Sequence, residues 1–213
     1  GNYVKLGKIT SVNEYKIPEK MRKIWQVELA MLDTIDAICK KHNIRYFLLH
    51  GTLLGAVRHK GFIPWDDDLD IGMLRRDYDK FLEIAPQELS EPYFLQTMWT
   101  DRNCFFGGLT KLRNSETAGI TERELGHACN LGIWIDILPV DYCTADEKRL
   151  AAKERKIKRA CRWLYAKVYG NELKRFDQLP LLVCKFMTLM SYFIPYEHLC
   201  KKLDRAMRLY TTP

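Results

Sequence analysis

Between Asp66 and Ile71 the chain reads Asp-Asp-Asp-Leu-Asp-Ile, four carboxylates in five positions that end in an acidic–apolar alternation. In an extended strand, alternate side chains share a face, with about 6.6 Å between the Cα atoms of residues two apart. A strand over 67–73 lets Leu69 and Ile71 enter a core while Asp68 and Asp70 point together the other way. Carboxylates this close repel one another unless a positive charge sits among them. A divalent ion with oxygen ligands answers that, and Mg2+ or Mn2+ suits carboxylates combined with phosphate oxygens. The bland alternative is a solvated acidic turn. It accounts for Asp66 and Asp67 but not for the alternation at Leu69 and Ile71.

Upstream stands His50-Gly-Thr-Leu-Leu-Gly55, after a run at 45–49 that reads as a strand. A helix beginning at Thr52 presents free backbone N–H groups and a positive dipole end, both suited to phosphate. Gly51 permits close backbone approach, and Thr52 adds a hydroxyl. Downstream, Gly132-Ile-Trp-Ile-Asp-Ile-Leu138 places a single carboxylate, Asp136, in an apolar strand. A buried carboxylate is costly without a partner. Either it joins the aspartates as a third metal ligand or it pairs with a nearby Arg. Basic residues flank the group. Arg58 and Lys60 lie between Gly51-Thr52 and the aspartates. Lys111 and Arg113 share a strand face and could grip one anion, with a solvated face as the alternative. His59 reads as a surface residue rather than a proton carrier, and Asp67 as a supporting charge paired with Arg58.

Around these motifs a helix is expected over 18–42, another over 77–85, and strands at 93–96, 108–113 and 131–138. From Thr144 or Asp146 a long basic helix runs to about Tyr169, with two further helical segments after Pro180 and Pro195. This gives an α+β chain: a core over 1–143 with its N-terminal helix, and a basic helical region over 144–213 packed on it. Residues 148–175 carry 11 Lys/Arg against 2 Asp/Glu, whereas the first 147 residues carry 18 against 22. Without an aromatic stacking platform, that basic stretch does not read as a nucleic-acid site. A solvated face or contact with an anionic lipid surface remain as its readings. The apolar run 181–194, interrupted by Lys185, is too short to span a bilayer and reads as a buried helix, with a membrane-surface role as the lesser reading. Seven cysteines with no C-x-x-C spacing read as ordinary buried thiols in a reducing cytoplasm, with a His127–Cys129–Cys143 metal site as a weaker alternative. Gly1-Asn2-Tyr3 reads as a processed or trimmed end.

The block from His50 to Gly72, with Lys111-Leu-Arg-Asn114 and Gly132 to Pro139, resembles the LicD family of the nucleotidyltransferase-fold superfamily. The family includes phosphocholine transferases, with fukutin and fukutin-related protein as distant relatives. The resemblance spans roughly 40–141. It implies a nucleotidyltransferase-like mixed sheet flanked by helices, and metal-dependent transfer of a phosphorylated alcohol, phosphocholine first, from a CDP-linked donor to a sugar hydroxyl. The acceptor it implies is a cell-surface glycan, namely lipopolysaccharide, teichoic acid or a capsule repeat, carried free or on lipid. Asp68, Asp70 and Asp136 are then the metal ligands and catalytic residues, and Gly51, Thr52, Arg58, Lys60, Lys111 and Arg113 bind substrate. The expected place is the cytoplasm, with peripheral contact at the inner face of the plasma membrane through the basic helix. A nucleotidyltransferase attacking the α-phosphate of a nucleoside triphosphate is the alternative enzyme, and a non-catalytic anion- or nucleic-acid-binding module the alternative class.

Overall fold

A computed structural model describes residues 15–122, 124–172 and 179–210. The Gly1–Tyr3 end, and Lys174 and Arg175 of the basic stretch, lie outside those residues. The fold is α+β, with a five-stranded mixed sheet and helices around it.

α1 (Glu19–His42) is amphipathic. Met31, Ile35 and Ile38 recur at helical spacing on its buried side, and Asn43 closes it in the left-handed conformation. β1 (Phe47–Leu48) leads at once into α2 (His50–His59). β2 (Asp70–Leu74) then runs into α3 (Arg75–Glu88), followed by β3 (Tyr93–Gln96), β4 (Thr110–Asn114) and β5 (Ile133–Val140). The strand order is β1-β2-β5-β4-β3, with β2 and β5 parallel and the other pairs antiparallel. Ile71, Met73, Leu112, Ile135 and Ile137 pack with the apolar sides of α1 and α3 into one core. Burying each such side chain stabilises by roughly 1.5–3 kcal/mol. Register follows, because a one-residue slip would exchange Ile71 for Asp70 and Ile135 for Asp136. Gly132 is needed where β5 begins, since a Cβ there would come within 2.0 Å of the Asn114 carbonyl oxygen.

The C-terminal region is helical: α4 (Glu147–Tyr169), α5 (Leu181–Tyr192) and α6 (Tyr196–Met207). Asp146 caps α4, its carboxylate accepting from the Lys148 and Arg149 amides. Phe105, from the loop between β3 and β4, packs with Ala160, Leu164, Leu199 and Leu203 in a second cluster. The Arg208 guanidinium donates to both Asp79 oxygens at 2.6 and 2.8 Å, fastening the end of α6 to α3.

Two expectations are corrected. Cys104 and Cys129 are joined by a disulfide, so not every cysteine is a free thiol, and Cys129 is not available to a metal. α5 forms where expected but is not a buried helix. Only Cys184, Met187 and Ser191 are enclosed, while Leu182 is 81% and Phe186 59% exposed. Among the described residues no helix is long and apolar enough to cross a membrane.

Candidate active site

The parallel pairing of β2 and β5 sets Asp70 opposite Asp136, and the antiparallel pairing of β5 and β4 sets Asp136 opposite Lys111. Residues in register share a face, so a row of two carboxylates and one ammonium crosses three adjacent strands. Lys111 Nζ donates to Asp136 Oδ1 at 2.8 Å, and Trp134 Nε1 donates to Asp136 Oδ2 at 3.1 Å. The partner expected for Asp136 is therefore present, but it is Lys111 rather than an arginine. Burial beside that carboxylate lowers the Lys111 pKa despite the attraction. Asp70 meets His50, whose Nδ1 lies 3.1 Å from Asp70 Oδ2. His50 holds φ at +46°, a left-handed conformation that a histidine rarely adopts. It begins α2 while keeping its ring on Asp70.

The strand starts at Asp70, three residues later than the alternation suggests, although the Leu69 carbonyl already accepts from the Asp136 amide at 3.0 Å. Asp66, Asp67 and Asp68 form the approach instead. One oxygen from each lies within 4.8 Å of the others, and Asp67 and Asp68 are exposed. Two contacts hold this acidic loop in place of a ladder. Trp25 of α1, stacked on Phe62 with centroids 5.0 Å apart, donates from Nε1 to the Asp66 carbonyl at 2.8 Å. The Thr52 hydroxyl donates to the Asp68 carbonyl and accepts from the Asp70 amide at 2.9 Å. Thr52 thus pins the backbone on either side of Leu69. Gly51 leaves room here for the Asp66 carboxylate, since a Cβ would stand 2.3 Å from Asp66 Oδ2. The first bond of α2 runs from the Leu53 amide to the Leu49 carbonyl, so the amides of Gly51 and Thr52 precede the helical ladder at its positive end.

Glu28 is the residue that sequence reasoning missed. It sits on the buried side of α1, 2% exposed, and its Oε2 has no hydrogen-bond partner. It lines a cleft of about 470 Å3 with Asp67, Asp68, Ile133 and Trp134, while Lys20 and Lys23 stand on the same α1 wall. Burial first, and then the charges of Asp68, Asp67 and Asp66, push its carboxyl up to about 9. Asp68 and Asp70 are also raised, by burial first. For Asp68 the neighbouring aspartates add to this; for Asp70 the charge of Asp136 opposes the His50 hydrogen bond. A set of oxygen donors at this density, with an orphaned buried carboxylate facing it, fits a hard divalent cation.

The remaining expected residues divide. Arg113 is fully buried, bonded to Gln96 at 2.7 Å, to the Gly132 carbonyl at 2.8 Å and to Glu124, so it does not reach an anion. Lys111 and Arg113, expected to grip one anion together, are each paired with a carboxylate of the protein, Asp136 and Glu124, and both lie over the rings of Phe106 and Trp134. Arg113 instead positions the cleft wall. Glu124 accepts from the Thr121 amide and hydroxyl at 2.8 Å, and 118–121 lines the cleft. Arg58 is exposed at the far end of α2 and, among the described residues, makes no ion pair with Asp67. Lys60 lines a second cavity, of about 260 Å3, together with Thr52 and Asp66. His59 lies edge-on to Trp65.

A family profile described as LicD/FKTN/FKRP, nucleotidyltransferase domain, matches residues 43–123. Over 155 residues the chain is 36% identical to the lipopolysaccharide cholinephosphotransferase LicD of Haemophilus influenzae, covering 69% of this chain and 57% of that protein. It is 49% identical over 76 residues to an uncharacterized protein of Rickettsia typhi, 36% of this chain and 24% of the relative. Human ribitol 5-phosphate transferase FKRP is 53% identical over 43 residues, 20% of this chain and 9% of that protein. The chain therefore spans little more than half the length of the first relative and much less of the others. Gly51, Thr52 and the aspartates from Asp66 to Asp70 fall inside the matched domain, and Asp136 joins them through β-pairing from outside it. Residues 43–123 thus match the LicD/FKTN/FKRP nucleotidyltransferase domain, and the chain is similar to a LicD protein over a wider span.

Proposed function

We propose that this chain is the catalytic part of a transferase that moves a phosphorylated alcohol, phosphocholine in the first instance, from a CDP-activated donor to a sugar hydroxyl of a cell-surface glycan. The observation that carries the reading is the cluster of Asp66, Asp67 and Asp68 leading into the in-register pair Asp70 and Asp136, with Asp67 and Asp68 lining a cleft that also holds Glu28. Asp68, Asp70 and Asp136, with Asp66 and Asp67 beside them, would hold Mg2+ or Mn2+. A bound ion of this kind supplies positive charge against the oxygens of a diphosphate.

The protein's own residues do the rest. The amides of Gly51 and Thr52, at the positive end of α2, receive phosphate oxygens. Lys60, beside Asp66 and Thr52, adds a cation for the same group, with Arg58 at the margin. Thr52 and Trp25 keep the carboxylates in place before substrate arrives, which is the preorganisation that electrostatic catalysis needs. Asp136, oriented by Lys111 and Trp134, accepts the proton of the sugar hydroxyl. The sugar oxygen then bonds to the phosphorus that carries the alcohol, the bond from that phosphorus to the bridging oxygen breaks, and CMP leaves with the electron pair.

The relatives' printed activities support this class, cholinephosphotransferase in one and ribitol 5-phosphate transferase in another. The test is product analysis with CDP-choline, CDP-ribitol, CDP-glycerol or CTP, each with and without Mn2+. CMP released from a CDP-alcohol only with metal, and lost in Asp68→Asn, is the expected result. Diphosphate released from CTP would assign attack at the α-phosphorus and overturn the proposal.

A further inference from the structure

We propose that α5 and the groove between α4 and α6 form one docking face for an anionic phospholipid surface, on which the protein lies without spanning it. α5 turns its apolar side chains outward. Leu182 is 81%, Phe186 59%, Leu189 62%, Tyr192 80% and Phe193 73% exposed, and Lys185 is the only charge in the helix. Isolated apolar side chains on a surface are ordinary, but a cluster of this kind marks an interaction site. At 12 residues the helix is about 18 Å long, too short to cross a hydrocarbon core of about 30 Å but suited to lying in the headgroup boundary. Tyr192 and Phe193, at its end, have the amphipathic or aromatic character favoured at that depth.

The second half of the face is cationic. Lys156 and Arg159 of α4, with Lys202 and Arg205 of α6, line a groove of about 280 Å3 floored by Ala206 and Leu209. All four side chains are exposed, and none is ion-paired among the described residues. The two carboxylates of α6 are already engaged, Asp204 by Arg208 and Glu197 by Arg102. Four cations left without carboxylates in one groove complement phosphate.

The two halves follow one side of α4. Lys156, Arg159, Trp163 and Lys167 are spaced by three or four residues and so form a single stripe, with Ala166 beside it. α5 covers the Trp163–Ala166 part, with Cys184 and Met187 packed on it, and Lys167 Nζ donates to the Ser191 and Tyr192 carbonyls. The groove occupies the Lys156–Arg159 part. An apolar helix flanked by unpaired cations is the combination that binds anionic membranes, by partial insertion and by attraction to lipid phosphates. Peripheral contact thus centres on α5 and the α4–α6 groove rather than on the basic helix by itself.

The test is co-sedimentation of the full chain with vesicles of phosphatidylcholine alone or mixed equally with phosphatidylglycerol, alongside Leu182→Glu/Phe186→Glu and Lys202→Gln/Arg205→Gln. The wild type is expected to pellet with the anionic vesicles and not the neutral ones. The first pair lowers binding at least about tenfold, and the second about fivefold per cation removed, with a weaker response to added salt. Both pairs alter exposed positions, so unchanged melting temperatures verify the fold. Wild type that ignores anionic vesicles, or binding indifferent to both pairs, overturns the proposal. So does a solution dimer that Leu182→Glu/Phe186→Glu converts to monomer, which gives the face to a second copy of the chain.

Discussion

Glu28 carries a proton at neutral pH because burial and four aspartates oppose its ionisation, pushing it from 4.5 to about 9. Across that window the folded, metal-free protein binds a proton that the unfolded chain releases. Stability therefore falls as pH rises from about 4.5 towards 9, by at most about 1.4 kcal/mol per pH unit for one proton. Urea denaturation of metal-free protein across this range shows the slope, and Glu28→Gln flattens it; an unchanged slope in the variant would place its origin elsewhere. Gly51 gives a complementary probe. In Gly51→Ala the new methyl displaces the end of the Asp66 side chain rather than backbone. The melting temperature should barely move, whereas Mn2+ affinity, read by calorimetry, drops about tenfold or more, as it does when a supporting contact is lost. Equal Mn2+ affinity in the variant would remove Asp66 from the site.

At the scale of elements, the helix and strand positions were legible because the apolar spacing and the Pro, Gly and Asp punctuation agree with the tertiary packing. Met31, Ile35 and Ile38 marked the buried side of α1, Asp146 the start of α4, and Pro180 and Pro195 the starts of α5 and α6. The alternation at Leu69 and Ile71 marked two core positions, although β2 begins only at Asp70. What a one-dimensional pattern lacks is the partner across the sheet. Lys111 looked like an anion clamp because its register opposite Asp136 is a property of β-pairing, and Glu28 stayed hidden as one charge on an amphipathic helix far from the motif. The apolar run in α5 carries no label saying whether protein or something else covers it. Arg113 illustrates the element-level consequence. Its guanidinium joins β4 to the 115–131 loop through Glu124, with both side chains fully enclosed. Arg113→Met leaves a buried carboxylate unpaired and should cost about 3–5 kcal/mol in chemical denaturation. Arg113→Met/Glu124→Gln should recover part of that, and a single variant as stable as wild type would contradict the assignment.

Over the whole molecule, the acidic site lies at the start of β2 and beside the middle of β5, while α3 and α6 are fastened beyond the other ends of those strands. Arg75 of α3 bonds Asp141, just after β5, at 2.7 and 2.5 Å, and Arg208 reaches Asp79. Because Arg208 and Asp79 are partly exposed, Arg208→Gln should lower stability by only about 1 kcal/mol and leave metal affinity at the distant site unchanged. A change in metal affinity would show that the C-terminal helices act on the site. The central claim is that the clustered aspartates bind a CDP-alcohol through a divalent ion. Calorimetry of CDP-choline binding, with and without Mn2+, to the wild type and to Asp68→Asn tests it most directly. The wild type is expected to bind only when Mn2+ is present, and Asp68→Asn under neither condition. CDP-choline bound equally well without metal, or by Asp68→Asn as by the wild type, would contradict it.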